Sequence, residues 1–462
     1  MHLTFAGAAR EVTGSCHLLT VGAHTIALDC GLFQGRRDES RAKNERLPID
    51  PTALSAVVLS HAHIDHAGRL PFLVARGYRG PIFATPATRD LCALMLADSA
   101  RIQESDAAHL ARKGRAHAPP LYGTADVTRT ISQMIGVPYG RWFDVCPGVR
   151  ARFHDAGHIL GSASVVLECA EGDARRTVVF SGDIGRSGLD IIRDPDPPRV
   201  AADVVLCEST YGNRDHASVA GAKAALGETV RRTAVRGGKV LIPAFAVGRT
   251  QELVYDLHGL IDRGAIPRVP VFIDSPLATD ATAIFELHPD CWDRDEALVR
   301  SDHDHLLRFP LVTYTRDVAD SKALNARRGP AVIIAASGMC ESGRILHHLL
   351  HGASDRKNTI LIVGFQAEHT LGRRIVEQQP QLRVFGEEVA LLADVEVLNG
   401  YSAHGDRSEV RRWLDAVRAD GSPAPAVHLV HGEPEAQDAF AASLAQDGYR
   451  VDVPSRGETR AI

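Results

Sequence analysis

The sequence predicts an α/β protein in which a unit built on a largely parallel sheet is inserted into another domain. Three observations carry this expectation. Short β-type runs separated by glycine-bearing turns open the chain and lead into a loop crowded with metal-binding side chains. From Lys239 to Gln378, apolar β-runs alternate with helical stretches, the pattern of βαβ units. Near Val395–Asn399 the first pattern resumes, a strand followed by a histidine-bearing loop. At 462 residues and 45% hydrophobic content, the chain is long enough for two or three domains, each with a core.

Taken in order, Leu3–Phe5, Cys16–Val21 and Thr25–Asp29 read as strands of an N-terminal sheet. Asp29 ends the third, before Cys30-Gly31, where a carboxylate can orient a histidine ligand. Gly35 to Arg46 reads as a charged, solvated loop with five basic residues, Arg36, Arg37, Arg41, Lys43 and Arg46. The apolar run Leu54–Ser60 is a strand. Arg69–Arg76 then reads as a helix and Pro81–Ala84 as a strand. Thr88 to about Gly114 reads as a long helix closed by Pro119-Pro120, and Thr124–Ile135 as another helix. Val149–Phe153 and Thr177–Ser181 are strands that run into the glycine-flanked loops of His158 and Asp183. His154 sits inside the strand pattern and reads as a core or surface histidine. In the inserted unit the strands Lys239–Pro243, Val269–Ile273, Ala331–Ala335 and Thr359–Val363 alternate with helices beginning at Arg249, Ala278, Gly343 and Leu371. The expected plan is a first domain over 1–208, an insert over 209–392 and a return over 393–462.

Composition sets limits on function. With 52 basic and 57 acidic side chains the net charge is -5, so no global field draws a polyanion and any nucleic acid must be gripped locally. The eight cysteines show no CxxC and no dense spacing, which argues against a disulfide framework and against cysteine-held zinc. Arg10 and Glu11 break the N-terminal apolar run too early for a signal peptide, and no stretch approaches the ~20 apolar residues of a membrane span. A cytoplasmic protein without membrane association is expected.

The chemistry is concentrated in His61-Ala62-His63-Ile64-Asp65-His66. Three imidazoles and a carboxylate packed this closely are costly to leave unsatisfied, and a divalent metal, zinc above all, satisfies such a crowd. In a tight loop after a strand, His61 and His63 can face one way while Asp65 and His66 face the other. That suits two ions and asks for further ligands, for which His158 and Asp183 are candidates. A surface histidine cluster would not follow a buried-looking β-run.

These motifs, HAHIDH at 61–66, GH at 157–158 and SGDIG at 181–185, resemble the metallo-β-lactamase superfamily, whose fold is an αβ/βα sandwich. The resemblance implies that His61, His63 and His158 hold one zinc, that Asp65 and His66 hold a second, and that Asp183 bridges them. Glu208-Ser-Thr-Tyr-Gly212, Ser402-Ala-His404 and Val430-His431-Gly432-Glu433 extend the likeness to the RNA-cleaving β-CASP family, as do Pro243-Ala-Phe-Ala-Val-Gly-Arg249, Asp274-Ser-Pro and Ser337-Gly338 with Gly343-Arg344. The likeness covers nearly the full length and implies a metallo-β-lactamase sandwich with an inserted parallel-sheet α/β (β-CASP) domain. Glu208 corresponds to that family's motif A acid, His404 to motif B, and His431 to motif C and the remaining zinc ligand. Relatives commonly have glycine where this chain has His369.

Two Zn2+ ions about 3.5 to 4 Å apart lower the pKa of a shared water and stabilise charge on a phosphate oxygen, so a bridging hydroxide attacking phosphorus in line is expected. His404, not needed as a ligand, is the expected general acid or phosphate donor, with Glu208 fixing its tautomer and Asp65 and Asp29 completing the catalytic set. Ser337, Gly338, Arg344, Thr370, Arg373, Arg249 and Ser402 are candidate substrate contacts. Several of them have helix capping or ion pairing as the competing role. Single-stranded RNA is the expected partner. A thioester- or lactam-type hydrolase and a non-catalytic scaffold of an RNA-processing complex are the competing functions. The long interval between Asp183 and His431 speaks against the first, and the full ligand set against the second. A homodimer through the sandwich domain stays open, since no segment specifies one.

Overall fold

Along the strand His2–Gly7 buried side chains alternate with more exposed ones, the signature of a strand with one face on a core. In the computed structural model of the chain, residues 1–35, 37–112, 119–293, 307–364, 366, 369–418 and 421–462 are described. They form two units, one of Met1–Ser187, Arg193–Asp215 and His404–Ile462, the other of Gly188–Ile192 and His216–Ala403.

Among the described residues, the first unit has two seven-stranded sheets. One runs Thr459–Ala461, His2–Gly7, Cys16–Val21, His24–Leu28, Leu54–Val58, Ile82–Ala84, Met134–Gly136. The other runs Arg450–Asp452, Ala426–Val430, Val204–Glu208, Ala174–Phe180, Ala163–Glu171, Val149–Asp155, Trp142–Cys146. Leu3, Phe5, Leu19, Ile26 and Val58 of the first pack with Phe153, Val165, Leu167, Phe180 and Leu206 of the second. On the far face of the second sheet, Val179, Val205, Val427 and Leu429 meet Trp413 and Leu414 of the helix Arg407–Val417, and Phe440 and Leu444 of Pro434–Gln446. The helix Pro86–Arg112 contacts Met134–Gly136 of the first sheet. This layering is the αβ/βα sandwich.

The second unit holds a six-stranded sheet in the order Val312–Tyr314, Val271–Ile273, Ala331–Ala335, Lys239–Pro243, Thr359–Ile362, Asp394–Val397, all its pairs parallel. Ala331–Ala335 is buried at every position, which explains its unbroken apolar run. None of the described helices is long and apolar enough to cross a membrane.

The structure corrects several expectations. Asp394–Val397 pairs in parallel with Thr359–Ile362, so the run Val395–Asn399 completes the inserted sheet and does not begin the return. The chain re-enters the first unit at His404 rather than 393, and the insert starts after Asp215 rather than 208. A half-buried edge strand reads the same whichever sheet it joins. Arg37–Asn44 is a helix, not a solvated loop. Asn44 pins its end by exchanging 2.8 Å hydrogen bonds with the Phe33 backbone, and Lys43 pairs with Glu11. Arg36 and Gly114 lie outside the described residues. The helix Thr124–Gln133 gives way to the strand Met134–Gly136, and the strands Trp142–Cys146 and Ala163–Glu171 were not legible in the sequence. All eight cysteines are free thiols.

The inserted unit is tied together by Asp274, fully buried, which accepts hydrogen bonds from Ser321 Oγ at 2.6 Å, Arg344 Nη1 at 2.7 Å and His348 Nε2 at 2.8 Å. Burial opposes its ionisation, yet His348, Ser321 and Arg344 together hold its carboxyl below the ordinary range. Removing one partner of a buried ion pair costs about 3–5 kcal/mol, because the other charge is left uncompensated. Asp274→Ala is therefore expected to lower stability by about that amount, read as a fall in the urea midpoint. A depressed carboxylate stabilises above its unfolded pKa of about 3.9 and loses that contribution as pH falls through the folded value, so the gap to wild type should narrow in acid.

Candidate metal centre

The candidate ligands of the first unit and their carboxylate partners gather at the carboxyl ends of its strands. Asp29 follows His24–Leu28, His61 to His66 follow Leu54–Val58, and His158 follows Val149–Asp155. Asp183 follows Ala174–Phe180, Glu208 ends Val204–Glu208, and His431 follows Ala426–Val430. Backbone bonds lock these loops together: Ser15 N to Asp65 O at 2.8 Å, Cys30 N to His66 O at 2.8 Å, Gly185 N to Ala156 O at 2.7 Å, and His431 N to Ala8 O at 2.7 Å. Two glycines permit the approach. A Cβ on Gly31 would lie 1.5 Å from Asp65 O, and one on Gly185 would lie 1.7 Å from Gly157 O. Asp29 and His431 both adopt left-handed backbone, with φ of 63° and 51°. Such conformations cost about 1–3 kcal/mol and persist where surrounding bonds impose them.

The convergence is tight. The ligand atoms of His61, His63, His158 and Asp183 all lie within 4.8 Å of one another, and so do those of Asp65, His66 and His431, and those of Asp183, His404 and His431. Asp183 Oδ2 is 3.3 Å from His66 Nε2, 3.5 Å from His61 Nε2 and 3.6 Å from His158 Nε2. Its other oxygen, Oδ1, has no hydrogen-bond partner and lies 3.5 Å from His431 Nδ1. His66 Nε2 faces His431 Nε2 at 3.1 Å, and His63 Nδ1 faces both His61 Nε2 and His158 Nε2 at 3.1 Å.

Hydrogen bonds behind the rings decide which nitrogen points inward. Asp29 accepts from Ser60 N at 2.8 Å, from Ser15 Oγ and Ser60 Oγ at 3.0 Å, and from His66 Nδ1 at 2.7 Å. Ser60 has one proton, given to Asp29, so its oxygen accepts from His61 Nδ1 at 3.0 Å. Both imidazoles thereby turn Nε2 toward Asp183. The charges divide accordingly. Burial opposes ionisation of Asp183, but His431, His66, His61 and His404 hold its carboxyl well below the ordinary range. Burial likewise opposes protonation of His66, but Asp183 and Asp29 push it well above the histidine range. Burial and the neighbouring His66 push His61 well down, and burial brings His63 to about 4. Nitrogen and carboxylate donors converging with an acceptor oxygen left over fit zinc, and the absence of cysteine among them fits a catalytic rather than a closed structural site.

Beside this cluster stand His404 and Glu208. His404 Nδ1 lies 3.1 and 3.2 Å from the two oxygens of Glu208 and 3.9 Å from Asp183 Oδ2. Burial opposes its protonation, but Glu208 and then Asp183 outweigh it and raise its pKa to about 9. The His404 side chain is 19% exposed and that of Asp65 22%, whereas His61, His66, His158, Asp183, Glu208 and His431 are at most 4% exposed. Solvent reaches the cluster from that side. Glu208 is further fixed by Ile184 N at 2.6 Å and Thr210 Oγ1 at 2.7 Å.

In the inserted unit, the other candidates have intramolecular partners. Arg344 bonds Asp274 and the carbonyls of Thr315 and Arg316, and Arg249 pairs with Glu252. Arg373 pairs with Glu377 while 43% exposed, and Thr370 Oγ1 caps its helix by accepting from Arg373 N at 3.1 Å. Ser337 Oγ accepts from the amides of Glu341 and Ser342, Gln366 Nε2 donates to Gly338 O at 2.9 Å, and Gly372 N donates to Met339 O at 3.2 Å, so the two loops are joined. His369 has φ of 68°, the region that favours glycine. Ser402 is buried, its amide bonded to Asn399 O. The sequence reading missed the hydroxyls of Ser15, Ser60 and Thr210. The available signal was position: Ser60 precedes His61, and Thr210 stands two residues after Glu208.

Comparisons with known proteins place the chain among relatives. The model of the metallo-beta-lactamase superfamily matches residues 9–78, that of the Beta-Casp domain 250–375, and that of the Zn-dependent metallo-hydrolase RNA specificity domain 388–454. Ribonuclease TTHA0252 of Thermus thermophilus is 38% identical over 458 residues, 99% of each chain. The transcription termination factors FttA of Methanosarcina mazei and Pyrococcus horikoshii are 33% and 34% identical over 96% and 94% of this chain, which spans 69% and 67% of their lengths. A crystal structure from Enterococcus faecalis, of a protein of unknown function, aligns over 100% of this chain and 99% of that one with a TM-score of 0.54 at 12% identity, a likeness of fold.

A ligand that binds only the folded chain stabilises it by mass action, about 2.7 kcal/mol at a hundredfold excess over Kd. Zinc is therefore expected to raise the melting temperature in scanning fluorimetry and a chelator to reverse the rise. Asp183→Asn should remove most of the effect, and an undiminished rise would contradict its place at the centre.

Proposed function

The chain belongs to the β-CASP family of the metallo-β-lactamase superfamily, metal-dependent hydrolases that act on RNA, and on that premise we propose that it cleaves phosphodiester bonds of single-stranded RNA with His404 as proton donor. His61, His63 and His158 would hold one Zn2+, Asp65, His66 and His431 a second, and Asp183 would serve both. The observation that carries this reading is the His404–Glu208 pair: a partly exposed imidazole, bonded at its back to a fully buried carboxylate, at the rim of a cluster of buried donors.

Zinc bound there supplies an activated water and neutralises charge growing on the phosphate. Glu208 holds Nδ1 of His404, so the proton for transfer is on Nε2. As the bond between phosphorus and the departing ribose oxygen breaks, that proton passes to the oxygen and the imidazole is left neutral. The raised pKa of His404 keeps the proton in place until a stronger base forms. Asp29 and Ser60 act behind His66 and His61, bonding Nδ1 of each so that Nε2 faces the cluster. On the inserted unit, Arg373 is the basic candidate whose side chain is most exposed, and we assign it the phosphate contact; Arg344 and Arg249 are committed to the carboxylates of Asp274 and Glu252.

General acid–base groups contribute about 10²–10⁴-fold to rate. His404→Ala is therefore expected to keep its zinc content while cleavage of end-labelled single-stranded RNA slows about a hundredfold or more. Unchanged cleavage would remove His404 from the mechanism. In the same time course a ladder of products reports endonucleolytic cutting and mononucleotides report digestion from an end.

A further inference from the structure

Thr210 joins the metal cluster and the proton-donor pair through a single hydroxyl oxygen. Its Oγ1 lies 2.7 Å from Glu208 Oε2, 3.1 Å from His431 Nδ1 and 3.1 Å from His431 O. A hydroxyl has one proton and two lone pairs. The carboxylate is the nearer and the charged acceptor, so the proton goes to Glu208, and hydrogen bonds to ions are shorter and stronger than neutral ones. What remains on Oγ1 toward His431 is a lone pair, and Nδ1 can meet it only as N–H.

That places the neutral-ring proton of His431 on Nδ1 and its lone pair on Nε2, the nitrogen 3.1 Å from His66 Nε2 and 3.6 Å from Asp65 Oδ2. The same device stands on the other side of the cluster. Ser60 Oγ donates to Asp29 and accepts from His61 Nδ1, which turns His61 Nε2 inward. Each buried carboxylate therefore reaches one histidine directly and another through a hydroxyl: Asp29 holds His66 and, through Ser60, His61; Glu208 holds His404 and, through Thr210, His431.

We propose that Thr210 is a positioning residue that fixes His431 in the tautomer able to bind a metal and, through Glu208, ties that ligand to the orientation of His404. The proposal rests on the reading of His431 as a ligand. It assigns to one hydroxyl a coupling between metal occupancy and the proton donor that neither group has alone. Partners that orient a ligand histidine are worth about 10–100-fold in metal affinity.

The test is a titration of zinc against a competing chelator on the full chain. Thr210→Val, which removes the hydroxyl and keeps the shape, is expected to weaken one of the two zinc-binding events about 10–100-fold and leave the other unchanged; Thr210→Ser should recover most of that loss. Wild-type affinity at both sites in Thr210→Val, or a failure of Thr210→Ser to restore it, overturns the proposal. His431→Ala separates the underlying reading. If that variant also binds two zinc ions as tightly as wild type, the ligand assignment has failed and not the hydroxyl's role within it. Should Thr210→Val not fold, ¹⁵N-histidine spectra of the zinc-loaded wild type decide, with His431 assigned by its loss in His431→Ala or the milder His431→Gln: Nδ1–H is expected, and Nε2–H overturns the proposal.

Discussion

The centre depends on two fully buried carboxylates, Asp29 and Glu208, that no solvent reaches and that bond the outer nitrogens of His66 and His404. Each must have its charge satisfied by donors inside the protein, since a buried ion without partners costs far more than a fold can absorb. The available donors are backbone amides, hydroxyls and the outer nitrogens of the histidines. Satisfying Asp29 and Glu208 thus fixes four imidazoles at once. Nε2 of three of them, with the carboxylates of Asp183 and Asp65, lines the cluster, and the fourth, His404, stands at its rim, where we propose it as the proton donor.

The sandwich makes this arrangement possible by bringing strand ends together. Two sheets packed face to face bring the carboxyl ends of the ligand-bearing strands together, so side chains as distant in the chain as His66 and His431 meet over the layering of Leu3, Phe5, Phe153 and Phe180. The close approach has its own cost. Gly31 and Gly185 have no room for a Cβ, and Asp29 and His431 are held in left-handed backbone. Strain concentrated at the residues that orient donors is what a preorganised site requires, because rings free to turn would lose the geometry that the buried carboxylates impose.

Much of this was legible in the sequence. The alternation of Lys239–Pro243, Ala331–Ala335 and Thr359–Ile362 with helices gave the parallel sheet, because strands covered on both faces are uniformly apolar. That the His61–His66 stretch, His158 and Asp183 converge was readable because few roles put such residues on loops directly after strands. Other features were not. The helix Arg37–Asn44 carries so much charge that its anchoring contacts, Asn44 with Phe33 and Lys43 with Glu11, left no periodic trace. The strand Asp394–Val397 is too short and too exposed to declare its sheet. The hydroxyls of Ser60 and Thr210 look like ordinary polar residues until their partners, supplied by other strands, are in place. Arg344 and Arg249 show the converse: their charge suggested an exterior partner, and burial gave them interior ones.

The central claim is that the cluster is shaped for two cations and not one. Crystals of the zinc-loaded chain, measured just above the zinc absorption edge, test it most directly. The account expects two anomalous peaks, one among His61, His63 and His158 and the other among Asp65, His66 and His431, with Asp183 between them. A single peak, or peaks elsewhere, would contradict it.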